Sequence, residues 1–303
     1  MASENLAMEI FLFSQIMVGM IGNSSILLYY IILISTGKLL RATDRIIEHL
    51  VFANCLYIIS KGIPQTLSYY GIKDFLDDIG CKLINYIYRI TRGQSLYAMC
   101  LLSCFQAITI SPSNSRWMML KHRATKYLGP SCSVGWLVQL FLNIMTPIEV
   151  SRPMYIKNVT NWKIYEYCSW FASGNVGTGL YMFLLCSSDG LCLGLMACSS
   201  VSMVSILHRH KKQVKYIHSS QYLLSASPEN RATQSILILV FTFVISYSFS
   251  SIMVIFMAFS KYPMLLQICV TFLESCFPIV CPFVLMRTIK PSFSLILSCF
   301  CKR

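Results

Sequence analysis

Long apolar runs alternate with short polar stretches along the whole chain. Seven runs stand out, at about 10–35, 48–70, 81–110, 129–150, 179–207, 234–260 and 265–286. A helix needs about 20 mostly apolar residues to cross a bilayer core. Inside lipid every backbone polar group must be satisfied within the structure, which selects helices or closed barrels. Runs of this length, without strand-like alternation, predict an all-α membrane protein. The expected architecture is a seven-transmembrane helix bundle in one domain covering residues 1–303.

Composition agrees with that pattern. The 303 residues are 55% hydrophobic and 12% charged, whereas soluble domains carry about 25% charged residues. The first nine residues hold no Lys or Arg, so no cleavable signal peptide is expected and the first run acts as its own insertion signal. Net charge is +13. Sixteen of the 25 Lys and Arg fall in the first, third and fifth loops and the tail, six on the opposite side and three inside spans. Because Lys and Arg collect on the cytoplasmic side, the N-terminus is expected outside and the C-terminus in the cytoplasm. The positive balance therefore has a topological cause, and no nucleic-acid partner is expected.

Most of the 14 cysteines lie in apolar runs, where cysteine packs as a small hydrophobe. Only Cys81 and Cys168 fall at the outer face, which is oxidising. They are expected to form a disulfide; two free thiols are the alternative. Asn158 opens an Asn-Val-Thr glycosylation sequon in the same outer loop. Asn23 also opens a sequon, but it falls inside a span. Cys299 and Cys301, beside Lys302 and Arg303, are palmitoylation candidates. No cysteine pair has a matching histidine pair, so neither metal nor cofactor is expected.

Charges inside a membrane are costly and mark function by default. Lys61, Arg89, Arg92, Asp189 and Glu274 fall inside the runs. Arg89, Arg92 and Gly93 are expected on one side of the third span. Either arginine could hold a polar or anionic ligand group, or pair internally with Glu274 or Asp189. Tyr86, Tyr88, Tyr97, Tyr181 and Phe183 lie at a depth suited to an apolar pocket, or to plain helix packing. Arg116, Lys121, Arg123, Lys211 and Lys212 lie in basic inner loops. They are candidate contacts for a cytoplasmic partner and for anionic membrane lipid.

Several phrases are more specific. They are KGIPQT (61–66), FLDDIGCKL (75–83), FQAITISPSNSRW (105–117), LGPSC (128–132), LCLGLM (191–196), ILHRHKKQV (206–214), SPENRATQSIL (227–237) and PFVLM (282–286). In these phrases, spread over nearly its full length, the chain resembles vomeronasal type-1 receptors. The resemblance implies a G-protein-coupled chemosensory receptor in the plasma membrane of vomeronasal sensory neurons. It implies a small pheromone or odorant ligand and signalling through an inhibitory-class heterotrimeric G protein. A bitter-taste-type chemoreceptor is the nearest alternative.

The chain departs from common rhodopsin-like receptors. Phe105-Gln106-Ala107 lies where Asp-Arg-Tyr is usual, Asn54 replaces the aspartate of the second span, and Cys281-Pro282 replaces Asn-Pro in the seventh. The odd span number and lack of a visible internal repeat argue against a transporter. No H-E-x-x-H, P-loop or G-x-S-x-G motif supports an enzyme.

Overall fold

The computed structural model describes residues 2–37, 39–70, 72, 75–111, 115–151, 162–164, 168–171, 176–217, 228–259 and 270–286. Helix α1 is Ala2–Ser35, α2 Ala42–Tyr57, α3 Ile63–Tyr69, α4 Asp78–Ile110, α5 Ser115–Leu142 and α6 Thr146–Glu149. Helix α7 is Val176–Ile217 and α8 Pro228–Phe259; α9 is Val270–Met286. Six helical stretches are long and apolar enough to cross a membrane, and α9 is a shorter apolar helix. These form the seven-helix bundle, with α2 and α3 as one interrupted span.

Local chemistry explains the helix ends. Gly37, at φ 72°, follows α1 in the left-handed conformation that disfavours a Cβ. The Asp44 carboxylate accepts from the Arg41 amide at 3.1 Å and closes the first turn of α2. The Asp77 carboxylate accepts from the Gly80 amide at 2.7 Å and starts α4. Between α2 and α3 the chain takes a π-helical turn over Ile58–Gly62. Pro64 lies just beyond it, and its ring cannot donate the hydrogen bond that a regular helix needs. Such turns are common at functional sites, and this one carries Lys61.

Several helices outrun the spans read from hydropathy. Helix α5 begins at Ser115 rather than near residue 129, so the basic stretch expected as a loop is largely helical. Helix α7 continues to Ile217 rather than ending near 207 and takes in Lys211 and Lys212. Lys, Arg, Met and Gln are good helix formers, so a helix can continue after its apolar run has ended. The outer stretch also holds three short strands: β1 (Val150–Ser151), β2 (Trp162–Ile164) and β3 (Ser169–Phe171). They form an antiparallel sheet in the order β1-β3-β2, with Val150 opposite Trp170 and Trp162 opposite Phe171.

The main core joins Ile46, Leu50, Leu96, Met99, Leu239 and Phe243 from α2, α4 and α8. A polar line crosses the same interior. The Asn23 side-chain amide donates to the Gly19 and Pro278 carbonyls at 2.8 and 2.7 Å. Asn54 donates to the Asn23 side-chain oxygen at 3.2 Å, and the Ser95 hydroxyl donates to Asn54 at 3.3 Å. Four spans thereby share one buried network, and Asn23 is fully enclosed. In lipid such bonds replace water that is absent.

Candidate functional site

The site gathers around α4, because α4 runs through the middle of the bundle and carries Arg92. Arg92 Nη1 lies 3.2 Å from Glu274 Oε1 on α9. The same nitrogen donates to the Tyr88 hydroxyl at 3.3 Å, and Nη2 donates to the Ser251 hydroxyl at 3.3 Å. The guanidinium also covers the Tyr247 ring, 4.6 Å from its centroid. The Tyr247 hydroxyl donates to Asp189 on α7. Tyr88 donates to Glu274 at 3.3 Å. Lys61, set inward by the π-helical turn, lies 3.9 Å from Glu274 and 4.7 Å from the Tyr88 ring centroid.

Charged and hydroxyl groups from the second, third, fifth, sixth and seventh spans thus meet at one level. The Glu274 side chain is 6% exposed and that of Arg92 18%. Lone charges are expensive at such depth, so their mutual pairing is what makes the arrangement tolerable. A cavity of about 40 Å³ opens beside the pair, lined by Tyr57, Arg92, Ser95, Ser246, Tyr247 and Glu274 among others. It combines aromatic faces with convergent hydrogen-bonding groups, and its volume is that of a few waters.

The other sequence candidates distribute themselves differently. Arg89 lies close enough to Glu149, at the end of α6, for the two charges to interact. Gly93 faces α5, where an added Cβ would meet the Gln139 side chain. Gly93 and Arg92 therefore face different neighbours from one side of α4. Successive helical residues turn by about 100°, and that rotation points Arg92 toward α8 and α9. Tyr86 donates to the Leu140 carbonyl at 3.0 Å. Tyr97 packs where Gly135 leaves room. Tyr181 lies 3.4 Å from the Thr146 hydroxyl. Phe183 is 68% exposed and faces outward.

Sequence reasoning missed Tyr247, Ser246 and Ser251. The cue was present in the polar run SYSFSS (246–251) inside an otherwise apolar segment. Among the described residues, no group of His, Cys, Asp and Glu side chains is arranged to hold a metal.

Cys81 and Cys168 are joined, with their Cα atoms 5.9 Å apart, and tie the start of β3 to the start of α4. Asn158, Cys299 and Cys301 lie outside the described residues. At the opposite end, the Lys121 ammonium donates to the Ser111 carbonyl at 2.9 Å. Arg123 and Lys212 are exposed, while Arg116 and Lys211 belong to α5 and α7. There too, the buried Gln106 amide donates to the Thr233 hydroxyl at 2.9 Å and joins α4 to α8.

The chain is similar to known proteins over most of its length. Vomeronasal type-1 receptor 4 of Homo sapiens is 45% identical over 287 residues, covering 94% of this chain and 95% of its own length. Vomeronasal type-1 receptor 3 of Homo sapiens is 44% identical over 288 residues, covering 94% and 92%. Olfactory receptor class A-like protein 1 of Danio rerio is 27% identical over 272 residues, covering 89% and 85%. The match to the family described as "Vomeronasal organ pheromone receptor family" runs over residues 6–297. It takes in the charged centre, the disulfide and all seven spans, and the chain belongs to that family of multi-pass plasma-membrane chemosensory receptors.

Proposed function

We propose that this chain detects pheromones or related small molecules in vomeronasal sensory neurons and signals through an inhibitory-class G protein. Its N-terminus faces outside and its C-terminus the cytoplasm, as the distribution of Lys and Arg favours. The whole chain acts as one seven-span receptor domain. The observation that carries the reading is the buried Arg92–Glu274 pair beside a cavity between the third, sixth and seventh spans. A ligand bearing a polar or anionic group competes for the Arg92 donors and loosens its ties to Glu274, Tyr88 and Ser251. Those ties hold α4 to α8 and α9, so ligand binding and helix arrangement are linked. The ligand shifts the receptor only as far as its affinity differs between arrangements. Arg116, Lys121, Arg123, Lys211 and Lys212 supply the basic face for the G protein.

The test is nucleotide exchange on an inhibitory-class G protein, in membranes with confirmed surface delivery. The stimuli are fractionated urine volatiles and steroid conjugates. Exchange that requires both receptor and one fraction, and that falls at least tenfold in potency in Arg92→Gln, supports the reading. Exchange indistinguishable from empty membranes across all fractions overturns the proposed coupling. Undiminished potency in a well-delivered Arg92→Gln overturns the proposed site.

A further inference from the structure

At the end of the bundle opposite the disulfide, α2 and α5 run side by side along a seam with exposed residues on both helices. Gly129 of α5 has no side chain there, and Arg45 of α2 occupies the space. The Arg45 Nη1 atom lies 2.7 Å from where a Gly129 Cβ would be. Arg45 remains exposed, as do Arg41 one turn before it and Lys126 one turn before Gly129. Further along the seam the chemistry changes. Trp136 Nε1 donates to His49 Nδ1 at 3.2 Å. Phe52 meets the Trp136 ring edge-on at 5.7 Å and stays 42% exposed. Phe52 follows Arg45 by seven residues, so the aromatic floor lies about 10 Å deeper than the cationic mouth.

Two acidic groups lie nearby on α2. Asp44 accepts hydrogen bonds from the Arg41 amide and the Tyr30 hydroxyl. Glu48 is half-buried. Three exposed cations therefore outnumber them at the mouth. A cationic mouth above an aromatic slot matches a molecule with an anionic head and an apolar chain. The guanidinium fork suits phosphate oxygens, and basic pockets between membrane helices take anionic headgroups.

We infer that the α2–α5 seam binds an anionic phospholipid of the adjoining leaflet. Its phosphate lies on Arg45 and Lys126, and one acyl chain lies along Trp136 and Phe52.

The experiment uses the full chain with Trp117→Phe, Trp162→Phe and Trp170→Phe, which leaves Trp136 as the one indole among the four tryptophans. It is reconstituted in nanodiscs in which bromine is carried either by phosphatidylserine or by phosphatidylcholine, at equal bromine content. The expected result is quenching of Trp136 stronger for brominated phosphatidylserine, by on the order of twofold. Arg45→Gln with Lys126→Gln abolishes that preference. Gly129→Leu, which displaces Arg45 without removing any charge, also weakens it. Size-exclusion profile and thermal midpoint identify variants that remain folded. Equal quenching by the two lipids overturns the inference, as does a preference that survives the double substitution in folded protein. Shielding of Trp136 from both lipids also overturns it, and assigns the seam to a protein surface such as a second copy of this chain.

Discussion

Arg92 on the third span and Glu274 on the seventh meet at 3.2 Å, with the Glu274 side chain only 6% exposed. Lys61 approaches the same carboxylate at 3.9 Å. Removing the carboxylate therefore leaves two neighbouring cations without their shared anion. Breaking a buried pair by removing one partner costs about 3 kcal/mol or more. Glu274→Gln is expected to lower the thermal unfolding midpoint of the purified receptor substantially. Adding Arg92→Gln to that variant should cost much less than it does alone, because coupled residues are not additive. Additive losses would show that the two charges act independently.

Gln106 and Thr233 tie the third and sixth spans at the end far from the disulfide. This bond is neutral and stands where the sequence lacks an Asp-Arg-Tyr triplet. A neutral hydrogen bond contributes about 1 kcal/mol, which shifts a two-state equilibrium about fivefold. If helix separation at this end accompanies signalling, Gln106→Leu raises basal nucleotide exchange by up to about that factor. Thr233→Val does the same, and the double variant adds little. Basal exchange that stays at the parental level in both well-delivered single variants counts against the latch.

How far the sequence alone reaches is clear from particular elements. The seven spans were legible because crossing a membrane is set by length and apolar content. The start of α5 at Ser115 and the end of α7 at Ile217 were not, because helix formation outlasts hydropathy. Strands of two or three residues have no readable period, so the sheet beside Cys168 was invisible. Arg92 and Glu274 stood out as charges in apolar runs. Choosing between Glu274 and Asp189 as the partner required the rotation of α4. In the structure Asp189 instead accepts from Tyr247, whose ring lies under Arg92. Phe183 has suitable depth but faces outward, since depth along a helix says nothing about azimuth.

The Cys81–Cys168 bridge closes a separation of 87 residues and anchors β3 beside the start of α4. Among the described residues, strand β1 pairs with β3 alone, through Val150 and Ser151. Cys168→Ser should therefore release the whole sheet while leaving the bundle interior intact. Amide exchange by mass spectrometry is expected to accelerate at 150–151 and 169–171, with Leu96 to Leu102 in α4 still protected. Surface delivery should fall as well. Unchanged protection of the strands would show that their hydrogen bonds hold without the bridge.

Gly22 is a position where helix packing leaves little room for repair. A Cβ there would lie 2.7 Å from Cγ and 3.0 Å from Cβ of Pro282. The proline ring is fixed to the α9 backbone and cannot rotate away. Gly93 is tighter still, since a Cβ there would run into Gln139 Oε1, but that oxygen ends a side chain that can rotate. Gly22→Ala is therefore expected to cost about 2 kcal/mol through overpacking, and Gly93→Ala less. The comparison is read as loss of thermal midpoint in purified receptor. Pro282→Ala in the Gly22→Ala background should recover part of the loss, because it removes the Cγ that the new methyl strikes hardest and leaves the Cβ. It also restores a backbone donor that a helix can use. If Pro282→Ala gives no recovery, the first and seventh spans are held apart by something other than this contact. The Asn23 bond to Pro278, one turn away, is then the next constraint to test.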